Sequence, residues 1–376
     1  MSEFNVKTPN TNSFGLVKPE NAKEGGVGCV DTLYTSVFLE KDRTTITESF
    51  TPMSFEDATQ GAKFCNALVD NQDGLMESLN IDEDAYNYLS SVALAIASQE
   101  TGMGFEEGYN EENSWLLGWG RQHVMMVCGW FGSKSASSGL TQMKIHDFLY
   151  NKDTLTNEEK QILSDYGIKS NSAGHNNLYD CPDKAAIATI VVLNAIQRQI
   201  GDYHDKLDIY HEEISLKLND GLTDEERCNK GEEVLNSILN VYQTTETDEE
   251  KEAIRTGIKD VLLALSKDDP NYDGDPQFDE EVQLQKFSEL TGLEIDEKSL
   301  NYLRCFLTSK EQAMNDTEAS AYIWNKGFDD NSMKQDRLIA YKIMTFMTSP
   351  DDLDYDQFPV NVAKFAQMYY TDMYDG

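Results

Sequence analysis

Residues 82–102 read DEDAYNYLSSVALAIASQETG, and apolar residues recur along them at steps of three and four. The recurring positions are Ala85, Leu89, Val92 and Ile96. Such steps place side chains on one face of an α-helix, so the segment is predicted to be a helix with a buried face. Glu100 is the next step on that face, and Gly102 is the residue type that most often follows a helix end. The pattern therefore predicts a buried helix that carries a glutamate at its C-terminal end.

Outward from this helix, the composition divides the chain into an arm, a core and an insertion. Residues 1–50 are rich in Asn, Thr, Ser and Gly without a helical period, which predicts an extended arm. Residues 103–145 combine glycines and tryptophans with little periodicity, and we expect loops and a short hairpin there. Residues 201–315 are acidic and amphipathic, so they are predicted to form a helical insertion between 51–200 and 316–376. The expected fold class is mainly α.

Helix periodicity recurs along the rest of the chain, with Gly201 expected to end one helix before the next begins. One short helix is predicted to begin near 157. The other predicted helices cover about 183–200, 205–218, 224–243, 248–266, 280–291, 297–306 and 359–373.

The charge excludes several classes of function. The 376 residues include 31 Lys and Arg against 67 Asp and Glu, a formal net charge of −36. A field of that sign repels phosphates, so nucleic-acid binding through a broad basic face is not expected. The longest apolar stretch, 185–196, is too short to span a bilayer, and no transmembrane segment is predicted. Six cysteines without C-x-x-C spacing and five histidines without H-E-x-x-H spacing give no support to zinc catalysis.

A glutamate at the end of a buried helix face has the surroundings of a general acid. Burial and the negative end of the helix dipole both favour the protonated carboxyl group of Glu100. A protonated carboxyl group can give its proton to the leaving oxygen of a glycosidic bond. The alternative is that Glu100 turns to solvent in a frayed last turn.

Three short segments occur in a recognisable order: IASQETGMG at 96–104, SSGLTQM at 137–143 and AYIWNKG at 321–327. They resemble the three motifs of the soluble lytic transglycosylase and goose-type lysozyme superfamily. Those motifs are a helix ending in Glu-Ser, a Gly-Leu-Met-Gln turn and an Ala-Tyr-Asn-Ala-Gly segment. The resemblance covers roughly 81–200 and 316–376. It implies a lysozyme-like α+β core with a small β or loop region, interrupted by the acidic helical insertion.

The resemblance implies cleavage of the β-1,4 bond between N-acetylmuramic acid and N-acetylglucosamine in peptidoglycan, with no cofactor required. It assigns Glu100 as general acid and then base. It assigns substrate contacts to Gly139, Leu140, Gln142, Tyr322, Trp324 and Asn325. Three positions depart from the motifs, because Thr101, Thr141 and Trp324 stand where the superfamily has Ser, Met and Tyr.

Tryptophans and loop carboxylates extend the predicted site. All four tryptophans lie outside 201–315, and Trp115 and Trp119 are candidates to stack on sugar rings. Glu111 and Glu112 are candidates for a second carboxylate, with an ordinary solvated loop as the alternative. An inverting hydrolase needs such a base, whereas a transglycosylase can use the sugar's own acetamido and 6-hydroxyl groups, and both outcomes remain open.

A calcium loop is a second candidate site. Asp269 to Glu280 fits the pattern D-x-[DN]-x-[DN]-G-x₅-E, which supplies oxygen ligands to calcium. The candidate ligands are Asp269, Asn271, Asp273, Gln277 and Glu280. Pro276 occupies a position that is usually aliphatic in such loops, and an ordinary acidic turn is the alternative.

A different class of function stays open beside the enzyme. The chain could be a non-catalytic interaction or structural protein that retains a lysozyme-like shell and binds a protein partner through its acidic helices. Residues 1–7, MSEFNVK, lack the basic and apolar regions of a signal peptide. The route to the cell wall stays open, and a phage particle, a specialised secretion system or lysis would each avoid the need for a signal peptide.

Overall fold

The computed structural model is mainly helical in the residues it describes, as the sequence predicts. The described residues are 16, 59–101, 137–138, 141, 143–144, 148–149, 154–168, 178, 181–264, 280–309, 312–326, 335–347 and 358–375. Apart from Leu16, the arm 1–50 lies outside them.

Within the described residues, the secondary structure consists mainly of helices, with one very short pair of strands. In chain order the helices are α1 Thr59–Asp70, α2 Gln72–Leu79, α3 Glu83–Thr101, α4 Asn157–Asp165, α5 Pro182–Leu218, α6 Asp224–Thr244, α7 Asp248–Ala264, α8 Glu280–Thr291, α9 Glu297–Thr308, α10 Asp316–Lys326, α11 Gln335–Phe346 and α12 Phe358–Asp375. Strands β1 Ser137–Ser138 and β2 Met143–Lys144 pair antiparallel, with Ser137 opposite Lys144.

The chain divides into two compact units. Unit 1 contains Met1–Gln199, Asn315–Phe328 and Phe358–Gly376, and unit 2 contains Ile200–Met314 and Asp329–Gln357. From the sequence, all of 316–376 is predicted to belong to the lysozyme-like core. The structure instead gives 329–357 to unit 2, because the apolar face of α11 is buried in that unit's core.

Helix α3 is the centre of unit 1. Its residues 86–98 are all buried, so the helix is enclosed on every side rather than along the single face that the periodicity predicts. It packs along α12, which also packs against α10. Tyr86 ties α3 to α1 by donating its hydroxyl to the Leu68 carbonyl at 2.7 Å, and burial raises the pKa of that hydroxyl.

A buried carboxylate joins α4 to the first half of α5. Glu159 is 3% exposed and takes part in a capping box with Thr156 at the start of α4. Its carboxylate also accepts hydrogen bonds from Asn194, at 3.3 Å, and from both guanidinium Nη atoms of Arg198. Because every one of these donors is directed at the carboxylate, the buried charge is compensated.

Helix α5 is continuous where the sequence predicts a break. Gly201 lies inside the helix, and a Cβ atom placed on it would meet nothing within 4 Å. One glycine costs a helix only about 1 kcal/mol, which the apolar residues buried on both sides of Gly201 outweigh. Within the described residues, no helix combines the length and apolar character that crossing a bilayer requires.

Unit 2 is built from the second half of α5 together with α6, α7, α8, α9 and α11. The segments predicted at 224–243, 248–266, 280–291 and 297–306 agree with the observed helices within a few residues. Its core includes Leu235, Ile258, Phe287, Leu303 and Ile343. Helices α6 and α9 approach each other closely at Gly231, where a Cβ atom would lie 2.2 Å from the Tyr302 carbonyl oxygen.

A polar network fixes the turn between α5 and α6. Asp220 accepts hydrogen bonds from the Tyr302 hydroxyl at 2.8 Å, the Leu222 N–H at 3.1 Å and Arg227 Nε at 3.1 Å. Burial alone would raise the pKa of Asp220, but these donors and the Arg227 charge together lower it to about 2. The same pairing, added to burial, raises the pKa of Tyr302 to about 12.

Candidate functional site

Glu100 lies in the last turn of α3 and is half-buried. The turn before it is held by a hydroxyl pair. Ser98 donates to the Leu94 carbonyl at 2.7 Å, and its oxygen lies 2.8 Å from the Tyr369 hydroxyl on α12. Because the single proton of Ser98 goes to Leu94, Tyr369 is the donor to Ser98. The C-terminal end of α3 is therefore fixed to α12 just before Glu100.

The turn between β1 and β2 is fixed to α10 and α5. Trp324 on α10 donates its indole N–H to the Thr141 carbonyl at 2.8 Å, and its ring stacks on Phe148 with centroids 5.1 Å apart. The Thr141 and Thr189 hydroxyl oxygens are 3.1 Å apart. Thr189 gives its proton to the Ala185 carbonyl at 2.7 Å, so Thr141 is the donor to Thr189.

The segments that carry the three motifs belong to one packed unit. Helix α3, which ends at the Glu100 motif, contacts α10, which carries the Asn325 motif. Trp324 joins α10 to the Thr141 turn, although the two residues are 183 positions apart in sequence. Segments that are distant in the chain are thus connected through contacts within unit 1.

Tyr322 and Trp324 do not lie where the sequence analysis placed them. Both were predicted to contact substrate, yet they are 2% and 1% exposed. The Trp324 N–H is already used by Thr141, and its ring lies against Phe148, so this indole offers no free face to a sugar. Both side chains support the site from within the core. Asn325, the next residue along α10, is half-buried.

Polar groups that the sequence analysis missed surround this framework. They are Ser98, Thr189, Gln197, Ser320 and Tyr369. Gln197 on α5 donates to the Ser320 hydroxyl on α10 at 2.6 Å, which adds a second polar link to that helix. No sequence signal predicts these pairs, because a lone Ser or Thr in an apolar helix does not indicate which distant residue it contacts.

Many of the predicted site residues lie outside the described part of the chain. These are Trp115, Trp119, Glu111, Glu112, Gly139, Leu140 and Gln142, and, from the calcium loop, Asp269, Asn271, Asp273 and Gln277. Glu280 is described as the first residue of α8. Among the residues that the structure describes, no three His, Cys, Asp or Glu side chains are grouped so that they could hold a metal ion.

Comparison with known proteins gives no match to a protein-family model, to a curated protein or to a solved structure. The likeness to the lytic transglycosylase and goose-type lysozyme superfamily therefore rests on the motif residues alone.

Proposed function

We propose that this chain is a peptidoglycan-cleaving glycosidase in which Glu100 acts as the general acid and then the general base. Its substrate would be the glycan strand, cut between N-acetylmuramic acid and N-acetylglucosamine. Unit 1 would carry this activity as a lysozyme-like α+β core.

One observation carries the proposal: the three motif segments are connected in one unit, with a half-buried glutamate at the end of its central helix. The three segments are distant in the chain but connected in the fold, as a single site requires. Here α3 contacts α10, and Trp324 on α10 holds the Thr141 turn. The Ser98 and Tyr369 pair fixes the backbone immediately before Glu100. A catalytic carboxyl group needs such a rigid support, because small displacements of the reacting group reduce the rate strongly.

The mechanism follows from a single carboxyl group. Glu100 protonates the glycosidic oxygen as the bond breaks, and the resulting carboxylate then accepts a proton from the sugar's 6-hydroxyl group or from water. Asn325, half-buried on α10, is the described polar residue of the motifs that remains a candidate to position the sugar. Peptidoglycan is anionic and the chain carries −36, so affinity depends on short-range contacts rather than on long-range attraction.

The test compares two glutamates on the same helix. Glu100→Gln keeps nearly the same shape but cannot donate a proton, and we expect muropeptide release from purified peptidoglycan to fall about 10²- to 10⁴-fold. Glu83→Gln, in the exposed first turn of α3, is the matched control and should keep wild-type activity. Equal activity in both variants would remove Glu100 from the mechanism.

Mass spectrometry of the released muropeptides identifies the reaction type. Products with 1,6-anhydro ends indicate transglycosylation through the 6-hydroxyl group, and we expect these if no second carboxylate takes part. Reducing ends indicate hydrolysis. If replacing Glu111 or Glu112 removes the products with reducing ends, the replaced residue is identified as the base that activates water.

A second candidate function has one observation in its favour. Tyr322 and Trp324 are committed to the core, so part of the motif resemblance supports the fold rather than substrate contact. A non-catalytic interaction or structural protein would keep these residues for the same reason. In that case the wild-type chain releases no muropeptides at any concentration, and Glu100→Gln changes nothing.

A further inference from the structure

A surface groove runs between α7 and α8 in unit 2 and takes no part in the proposed catalysis. It encloses about 410 Å³, enough for several side chains of a partner. Its lining includes Ala253, Gly257 and Asp260 from α7 and Lys286, Phe287 and Leu290 from α8.

The lining follows the helical repeat on both sides. Ala253, Gly257 and Asp260 are spaced by four and three residues along α7, so they share one face of that helix. Gly257 has no side chain, and a Cβ there would meet the Phe287 ring at 3.0 Å, so the two helices lie close at the floor. Two neighbouring helix faces form a groove of the shape that the apolar face of a third helix fills.

Exposed apolar side chains flank this groove. Val282 and Leu290 on α8 are 39% and 42% exposed, and with Lys286 they fall at steps of four along one helix face. Large exposed side chains of this kind are few in the described residues. The others among them are Ile209 and Leu216 on α5.

The groove lining holds one carboxylate, Asp260, and one cation, Lys286, and the glutamates beside it make the balance of charge negative. Glu249 is exposed one turn before Ala253 on α7, and Glu289 is exposed beside Leu290 on α8. Asp260 is half-buried, and this burial raises the pKa of its carboxyl group, although Lys259 and Lys286 act in the opposite direction. A cation brought by a partner would compensate the half-buried carboxylate. The net charge of −36 disfavours a second copy of this chain as the occupant.

We propose that the groove between α7 and α8 binds a basic amphipathic helix of a partner protein. Apolar residues of that helix, at i, i+3 or i+4 and i+7, enter between Ala253 and Leu290, and its Lys or Arg side chains face Asp260 and the acidic rim. The apolar contacts set the residence time, and the rim charges speed association and make it sensitive to salt.

The experiment uses the full chain and a fluorescein-labelled Leu/Lys peptide of about 18 residues designed as an amphipathic helix. Two comparison peptides are used. The first replaces every Lys by Glu and keeps the amphipathic pattern, and the second keeps the Leu/Lys composition but scrambles the order so that no apolar helix face forms. Fluorescence anisotropy should show saturable binding of the amphipathic Leu/Lys peptide alone.

Paired variants locate the site. Leu290→Arg places a positive charge in the groove and should weaken binding by about tenfold or more. Leu216→Arg makes the same chemical change at a leucine that is 77% exposed on α5, and should leave the Kd within about twofold. Ala253→Arg, at an exposed lining position, should act like Leu290→Arg without removing any packed side chain. Circular dichroism verifies that all three variants are folded.

Several results would overturn the proposal. Equal weakening by Leu290→Arg and Leu216→Arg would mean that the peptide binds the acidic surface without a specific site. Equal affinity for the Leu/Glu peptide would remove the requirement for a basic partner, and no binding to the wild-type chain would remove the groove as a helix site. Sedimentation that shows a dimer abolished by Leu290→Arg would assign the groove to a second copy. The peptidoglycan assay on these variants is independent, because no residue of unit 2 enters the Glu100 mechanism.

Discussion

Gly231 tests the packing of unit 2 most sharply. This glycine lies on α6 where that helix crosses α9, and the crossing leaves no space for a side chain. A Cβ atom at position 231 would lie 2.2 Å from the Tyr302 carbonyl oxygen and 2.6 Å from the Phe306 Cβ. Both obstacles are at or next to the backbone of α9, so no side-chain rotation can remove them. We predict that Gly231→Ala forces the two helices apart.

The change in the free energy of unfolding caused by Gly231→Ala results from two opposing effects. Alanine favours the helical conformation over glycine by about 1 kcal/mol, which would stabilise α6. Overpacking in a filled core costs about 1–3 kcal/mol and occasionally more, because neighbouring groups must shift. Here a carbonyl oxygen of another helix must move by about 1 Å to restore a normal contact, so the upper part of that range applies. The expected net loss is about 1–2 kcal/mol.

Gly201→Ala is the matched control. The same substitution is made inside α5, where the new Cβ meets nothing within 4 Å, so only the helix-propensity gain of about 1 kcal/mol remains. Thermal unfolding followed by far-UV circular dichroism should show a lower Tm for Gly231→Ala and an unchanged or higher Tm for Gly201→Ala. A Gly231→Ala chain as stable as Gly201→Ala would show that α6 and α9 do not cross as closely as described.

Two further predictions concern buried charge. Glu159→Gln should destabilise unit 1 by about 1.5–3 kcal/mol, because Arg198 loses its carboxylate partner and hydrogen bonds to a charged group usually contribute that much. The measurement is a urea titration followed by tryptophan fluorescence. Glu158→Gln, at an exposed position in the same turn, is the control. The pKa of Asp220 is lowered to about 2 from 3.8, so its contribution to unit 2 is complete above about pH 3.8 and is lost as the pH falls through about 2. Circular dichroism against pH should show this loss in the wild type and a flatter profile in Asp220→Asn; identical profiles would contradict it.

The sequence predicts most of the helices, because helix formation depends on the pattern of residues that are close together in the sequence. The insertion helices are marked by apolar residues at steps of three and four, and capping residues sharpen their ends. Thr223 begins α6 with a capping box to Glu226, and Asp296 begins α9 by accepting the Ser299 N–H. The mainly α class follows from this periodicity and from the capping residues alone.

Contacts between residues that are distant in the sequence leave no local pattern from which they could be predicted. Helix α11 is amphipathic enough to be a helix in either unit, and its place in unit 2 depends on which core accepts Ile339 and Ile343. The continuity of α5 through Gly201 was missed for a related reason. A glycine is a weak local signal for a helix end, and packing on both sides decides whether the helix continues. The partners of Ser98 and Thr141 likewise become known only when the helices are assembled.

The departures from the superfamily motifs can be reassessed from the same contacts. Two of them, Thr141 in place of Met and Trp324 in place of Tyr, lie against each other in the fold. The Trp324 indole N–H donates to the Thr141 carbonyl, and the Thr141 hydroxyl donates to Thr189 on α5. A methionine at 141 could make no such hydrogen bond to Thr189. The Trp324 contact uses a backbone carbonyl that any residue at 141 would offer, so the two changes are independent, and only the hydrogen bond to Thr189 depends on threonine at 141.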